Sequence, residues 1–115
     1  MRYALLICTD EASFEALSPE EATASTAEYG TWMEEMGKRD VLRGGERLRP
    51  TTEATTVRVR NGDVLTTDGP FAETKEQIGG FFLVDCKDLD EALEVAAKLP
   101  GARTGSVEVR PIWEM

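Results

Sequence analysis

Two apolar runs, YALLIC at Tyr3 to Cys8 and GFFLVDC at Gly80 to Cys86, lack the alternation of polar and apolar residues that a half-exposed strand needs. Such strands are buried on both faces and belong in the middle of a sheet. Each run is followed by a helix signal. After the first come Ser18-Pro19-Glu20-Glu21, with serine as N-cap, proline at the first helical position and glutamate at the third. That pattern is a capping box. Ala22, Thr26, Tyr29, Trp32 or Met33, and Met36 then recur at helical spacing and make one apolar stripe, closed by Gly37-Lys38. Gly30 in mid-helix predicts close packing there. After the second run Asp88 caps a helix with Glu91 three residues on, and Leu89, Ala92, Leu93, Ala96 and Leu99 supply its apolar face before Pro100-Gly101 ends it.

The remaining segments read as strands. Val41 to Leu48 is one, disturbed by Gly44-Gly45, and Val107 to Trp113 is the last, with Pro111 marking an edge. Thr56 to Arg60 and Val64 to Thr67 are joined through Asn61-Gly62-Asp63, a hairpin signal because Asn and Gly tolerate positive φ. Val57 and Val59 are expected on one side, with Arg58 and Arg60 toward water. The order is β-α-β, hairpin, β-α-β. It predicts an α+β, ferredoxin-like sandwich with an inserted β-hairpin, formed by residues 1–115 as one domain. In that topology the two doubly apolar strands are central. Two helices cover one face of the sheet, so the other face asks for the same face of a second copy, giving a homodimer with a cavity between sheets.

Charge excludes several partners. With 13 basic and 22 acidic residues the net charge is −9, unfavourable for a nucleic acid or an anionic membrane. No apolar run approaches the roughly 18 residues of a membrane span, and the N-terminus lacks a signal-peptide pattern, so a cytoplasmic location is expected. Cys8 and Cys86 form no CxxC pair and read as buried thiols. The chain has no histidine, which removes His-based triads and ordinary zinc sites. No metal or other cofactor is expected.

Asp68-Gly69-Pro70-Phe71, continued by Ala72-Glu73-Thr74-Lys75-Glu76-Gln77-Ile78-Gly79-Gly80, forms a block of 13 residues. With Leu5-Leu6-Ile7, Leu42 to Glu46, Thr56-Val57-Arg58, Asp88 to Ala92 and Val107 to Pro111, it makes the chain resemble the YCII-related family, in the branch that carries the DGPF motif. The resemblance implies a ferredoxin-like fold that pairs into a dimeric α/β barrel. It implies less about activity. Some relatives act on small aromatic compounds, including by dehydrochlorination. DGPF-type members often lie near genes for extracytoplasmic-function sigma factors, which implies a functional link to such a factor. Some relatives use a His-Asp pair with the histidine in the first helix; here Glu28 and Tyr29 occupy that region, so only Asp68 carries over.

Two readings of Asp68 stand side by side. It is a turn residue, or it sits at the rim of the inter-sheet cavity as a base or hydrogen-bond acceptor. The usual turn bond to the backbone two residues on is closed to it, because Pro70 has no N–H. Phe71 reads more readily as core than as a ligand-stacking ring. Lys75 is expected in a surface ion pair, with anion binding beside Asp68 as the sharper alternative. Arg43, Glu46 and Arg110 lie on core strands, where an inward charge needs a partner; Arg110 is expected to meet Glu46 or Asp68, or to hold a substrate carboxylate. Tyr29 reads as a core aromatic, with a catalytic phenol as the remote alternative. Trp32 and Trp113 read as core or interface. The leading function is a module that binds an unknown small molecule or regulates. The alternative is a cofactor-independent lyase- or isomerase-like enzyme with Asp68 as base. The sequence leaves open whether there is catalysis.

Overall fold

The computed structural model describes residues 1–114. Its main sheet has four strands, β1 (Arg2–Thr9), β2 (Leu42–Arg47), β5 (Gln77–Asp85) and β6 (Ser106–Pro111), in the order β2-β5-β1-β6. The neighbouring pairs all run antiparallel. The strands β3 (Thr55–Arg60) and β4 (Asp63–Asp68) form a separate two-stranded ribbon. The helices are α1 (Glu11–Glu15), α2 (Pro19–Lys38), α3 (Leu89–Ala97) and α4 (Gly101–Thr104). This mixed α+β arrangement is compatible with the ferredoxin-like expectation, and β1 and β5 are central.

Local signals set the helices. The capping box at Ser18 forms, with the Glu21 amide donating to the Ser18 hydroxyl (3.1 Å) and the Ser18 amide donating to the Glu21 carboxylate (3.0 Å). Asp88 accepts from the Glu91 amide at 2.9 Å. Trp32 and Met36 are the residues of α2 that bury fully, and Trp32 Nε1–H donates to the Val95 carbonyl of α3 at 3.0 Å. Phe82 packs on the Trp32 ring with centroids 4.6 Å apart. On the sheet, Tyr3, Leu5, Ile7 and Val84 turn toward the helices and complete the core with Val95 and Leu99.

Several expectations fail for non-local reasons. Gly30 has nothing within 4 Å of where a Cβ would stand, so it marks no close approach. The close approach is at Gly45, where an added Cβ would lie 2.6 Å from the Phe81 carbonyl oxygen and 2.5 Å from the Phe82 ring. The buried face of α3 is Ala92, Val95 and Ala96, with Leu99 buried just after the helix, while Leu89 and Leu93 are exposed. The helix begun at Asp88 does end before Pro100-Gly101, but that pair then opens the short α4, and the loop expected after β1 contains α1, capped by Asp10. Met33 and Thr26 of the expected stripe lie in solvent.

The hairpin forms as expected around Asn61 and Gly62, both at positive φ (52° and 81°). It does not fold back onto the sheet or the helices; β3 and β4 pack chiefly on each other. The radius of gyration is accordingly 16.0 Å, against about 13 Å for a compact chain of this length. The thin dimension of 18 Å holds one sheet and one layer of helices. One face of the sheet is therefore left without cover within the chain.

Candidate functional site

The uncovered face follows from strand register. Side chains alternate along a strand, so the partners of Tyr3, Leu5 and Ile7 face the helices and the intervening residues face away. Facing away are Ala4 opposite Leu83, Leu6 opposite Phe81, and Cys8 opposite Ile78. These apolar residues are half-buried by their neighbours, with Ile78 exposed, and no helix lies over them. Charges border them: Arg2 opposite Asp85, Glu46 opposite Phe81, and Glu108 and Arg110 on the edge strand β6. The lack of alternation in YALLIC thus reflects two apolar faces, of which the chain itself covers one.

Cys8 stands on this face. Burial pushes its thiol above the ordinary range, and the nearby carboxylates of Glu108 and Glu76 push the same way. A thiol so placed is a poor nucleophile and acts as a small apolar group. Cys86 is buried and is likewise raised, chiefly by burial.

Asp68 ends β4 opposite Thr55 and is exposed. Its carboxylate accepts no hydrogen bond and joins no ion pair among the described residues. Other groups hold the turn: the Thr56 hydroxyl donates to the Gly69 carbonyl at 2.8 Å, and the Gly69 amide donates to the Ala54 carbonyl at 2.7 Å. Gly69 adopts φ of 100°, which explains glycine after the aspartate. Below the turn, Gln77 Nε2–H donates to the carbonyls of Ala72 (3.1 Å) and Thr74 (3.0 Å). Glu11 of α1 accepts from the Thr51 amide (2.9 Å) and hydroxyl (2.7 Å), tying the base of the hairpin to the body. Between α1 and this loop runs a groove of about 450 Å³ lined by Asp10, Glu11, Thr51, Pro70, Lys75 and Gln77 among others.

The structure separates most of the candidate residues. Phe71, expected in the core, is 81% exposed, because the turn that begins at Gly69 carries it away from the sheet. Trp113 is 87% exposed. Lys75 lines the groove and makes no ion pair among the described residues, so the expected surface salt bridge is absent; Asp68 is not part of that groove. Arg110 and Glu46 cannot meet within one protomer, since β6 and β2 are opposite edges of the sheet. Arg110 pairs instead with Glu108 two residues away. Arg43 donates to the Asp40 carbonyl (2.8 Å) and lies 3.9 Å from Asp85. Tyr29 faces the helix side, stacked on Phe82 at 6.5 Å, with its hydroxyl beside Gly101. Burial raises its phenol, outweighing the Gly101 backbone hydrogen bond and the nearby Arg103 and Arg47, so it is a core aromatic and a poor base.

Along its whole length, residues 1–115, the chain matches the model of the YCII-related domain. It belongs to the YCII-related family. A relative from Rhizobium meliloti (strain 1021), described as an uncharacterized protein, is 44% identical over 114 residues, covering 97% of this chain and 92% of that one. No helix of this YCII-related chain is long and apolar enough to cross a membrane among the described residues, and these hold no cluster of three or more His, Cys, Asp or Glu side chains suited to a metal. Sequence reasoning missed the Glu11–Thr51 tie and the role of Thr56. Asp10-Glu11 just after an apolar strand was the available signal for a capped helix, but nothing local pairs Glu11 with a threonine 40 residues on.

Proposed function

We propose that this YCII-related protein is a small-molecule-binding or regulatory module that works as a homodimer. The open sheet faces of its two copies enclose a chamber, in the manner of a dimeric α/β barrel. The observation that carries the reading is the uncovered apolar face of β1 and β5, with Ala4, Leu6, Phe81 and Leu83 as floor and Arg2, Glu46, Asp85, Glu108 and Arg110 around it. A cavity of this composition suits a small, largely apolar ligand carrying a few polar groups. Arg43, Glu46 and Arg110 are then rim residues, and Arg110 and Glu46 face one another only across two copies.

A thermal-shift screen of small apolar and aromatic acids at fixed protein concentration tests this. A stabilising compound recovered unchanged after incubation supports binding without chemistry. Failure of every compound to raise the melting temperature, in a protein that sediments as a monomer at micromolar concentration, refutes the chamber.

One observation favours the enzyme reading as the second choice. Among the described residues the Asp68 carboxylate has no hydrogen bond and no ion pair, and it stays available as a base or acceptor. On that reading Asp68→Asn abolishes turnover of a stabilising compound while the melting temperature stays within a few degrees. Equal turnover in both proteins removes Asp68 as the base.

A further inference from the structure

The hairpin carries an apolar strip that the fold leaves bare. Register places Val57, Val59 and Val64 on one side of the ribbon, with Val59 directly opposite Val64 and Val57 opposite Thr66. All three are exposed, at 61%, 59% and 68%. Thr55 and Asp68 are paired at the base on that same side, so whatever covers the valines also reaches the aspartate. Phe71, three residues after Asp68, is exposed as well. An isolated two-stranded ribbon in water is marginal, and three β-branched side chains on its wet face make it an unusually costly one to leave uncovered. Its base is nevertheless fixed, through Glu11 to Thr51, Thr56 to Gly69 and Ala54 to Gly69. The strip is held out from the body at a set place.

We infer that the β3–β4 hairpin is a docking arm whose valine side, with Asp68 and Phe71 at its base, closes on a second copy of this chain. The inference rests on the chamber reading and deepens it, because the site of one copy then includes Asp68 and Phe71 of the other. Area argues for a second copy. From strand spacing and rise, the two arm faces and what they cover amount to roughly 800 Å², and two open sheet faces to roughly 900 Å². Neither alone reaches the roughly 1,200–2,000 Å² of a stable interface, and together they do.

Charge does not oppose it. From Asp10 to Gly37 the chain has eight acidic residues and no basic one, and among the described residues only Glu28 and Glu35 of these meet a basic side chain from elsewhere in the fold, Arg103 and Lys98; Glu34 pairs with Lys38 at the helix end. Arg58 and Arg60 on the other side of the ribbon have no ion-pair partner among the described residues. The hairpin itself, with Arg58 and Arg60 against Asp63 and Asp68, carries no net charge, so it reaches an acidic copy of the same chain without adding to the repulsion between two molecules of charge −9.

The test compares wild type, the triple variant Val57→Thr/Val59→Thr/Val64→Thr, and Leu83→Thr on the open sheet face, by sedimentation equilibrium and by hydrogen exchange of the hairpin amides over a range of protein concentrations. Threonine keeps the β-branch that favours strands, and circular dichroism checks the fold of each variant. The inference expects a wild-type dimer, hairpin amides whose protection rises with concentration, and a dimer dissociation constant at least tenfold weaker in the triple variant. A wild-type dimer that the triple variant leaves unchanged while Leu83→Thr weakens it overturns the arm and spares the chamber. Weakening by the triple variant alone keeps the arm and removes the chamber. A monomer with unprotected hairpin amides at every concentration overturns both and leaves the strip to a different protein.

Discussion

Replacing Asp68 by alanine separates a carboxylate that builds a turn from one held ready for a ligand. Among the described residues the side chain has no hydrogen bond, while the Thr56 hydroxyl donates to Gly69 at 2.8 Å in a partly buried setting. Asp68→Ala should therefore change stability by no more than about 0.5 kcal/mol, as surface replacements away from caps and networks do. Thr56→Val should cost about 1 kcal/mol, because it removes one donor and leaves the Gly69 carbonyl short of a partner. Threonine and valine share the β-branch, so strand propensity hardly enters. The assay is urea unfolding of the three proteins at one fixed protomer concentration, since any self-association adds to apparent stability. With a slope of about 1.5 kcal/mol per molar urea, a loss of about 1 kcal/mol moves the midpoint by roughly 0.7 M. Thr56→Val should show that shift and Asp68→Ala less than half of it. If Asp68→Ala lowers the midpoint as far as Thr56→Val or further, the carboxylate is a turn-maker and the argument for its availability fails.

Two further outcomes probe the body of the fold. Trp32→Phe removes the buried Nε1–H that reaches the Val95 carbonyl from α2 to α3; a loss of about 1–3 kcal/mol in the same urea assay is expected, and a loss under about 0.5 kcal/mol would show that the helix pair does not depend on it. Hydrogen bonds from Arg39 (2.8 and 3.0 Å), aided by Lys98, hold Glu94 down to about 2 from its ordinary 4.5. A carboxylate lowered in the folded state adds stability that is fully present above about pH 4.5 and lost as pH falls toward 2. Glu94 is 47% exposed, so solvent screening limits the gain to about 1 kcal/mol. Glu94→Gln should remove that part of the acid dependence and leave the rest, as followed by unfolding between pH 2 and pH 6.

Some of this was legible before any coordinates. Ser18 to Glu21 and Asp88 to Glu91 fix helix starts because every group involved lies within one turn. Asn61-Gly62 fixes the hairpin because only residues that accept positive φ suit the turn. Gly30 and Gly45 show the opposite case. Both are glycines inside regular elements, and only the neighbouring strand distinguishes the one with a carbonyl 2.6 Å from its missing Cβ from the one facing open space. Likewise Phe71 and Val84 are both large and apolar, and chain direction after Gly69 sends one into water while the sheet buries the other.

By itself the sequence determined the order of the main elements, the caps of α2 and α3, the hairpin turn, and that β1 and β5 are apolar on both sides. These are short-range properties, set by neighbours a few residues apart. Tertiary structure alone decided which side of those strands the helices take, that the valines of the hairpin stay uncovered, that Arg110 and Glu46 lie on opposite edges, and that Asp68 has no partner among the described residues. Those outcomes depend on strand order and on where distant segments land, and no local pattern encodes the distance between residues brought together only by the fold.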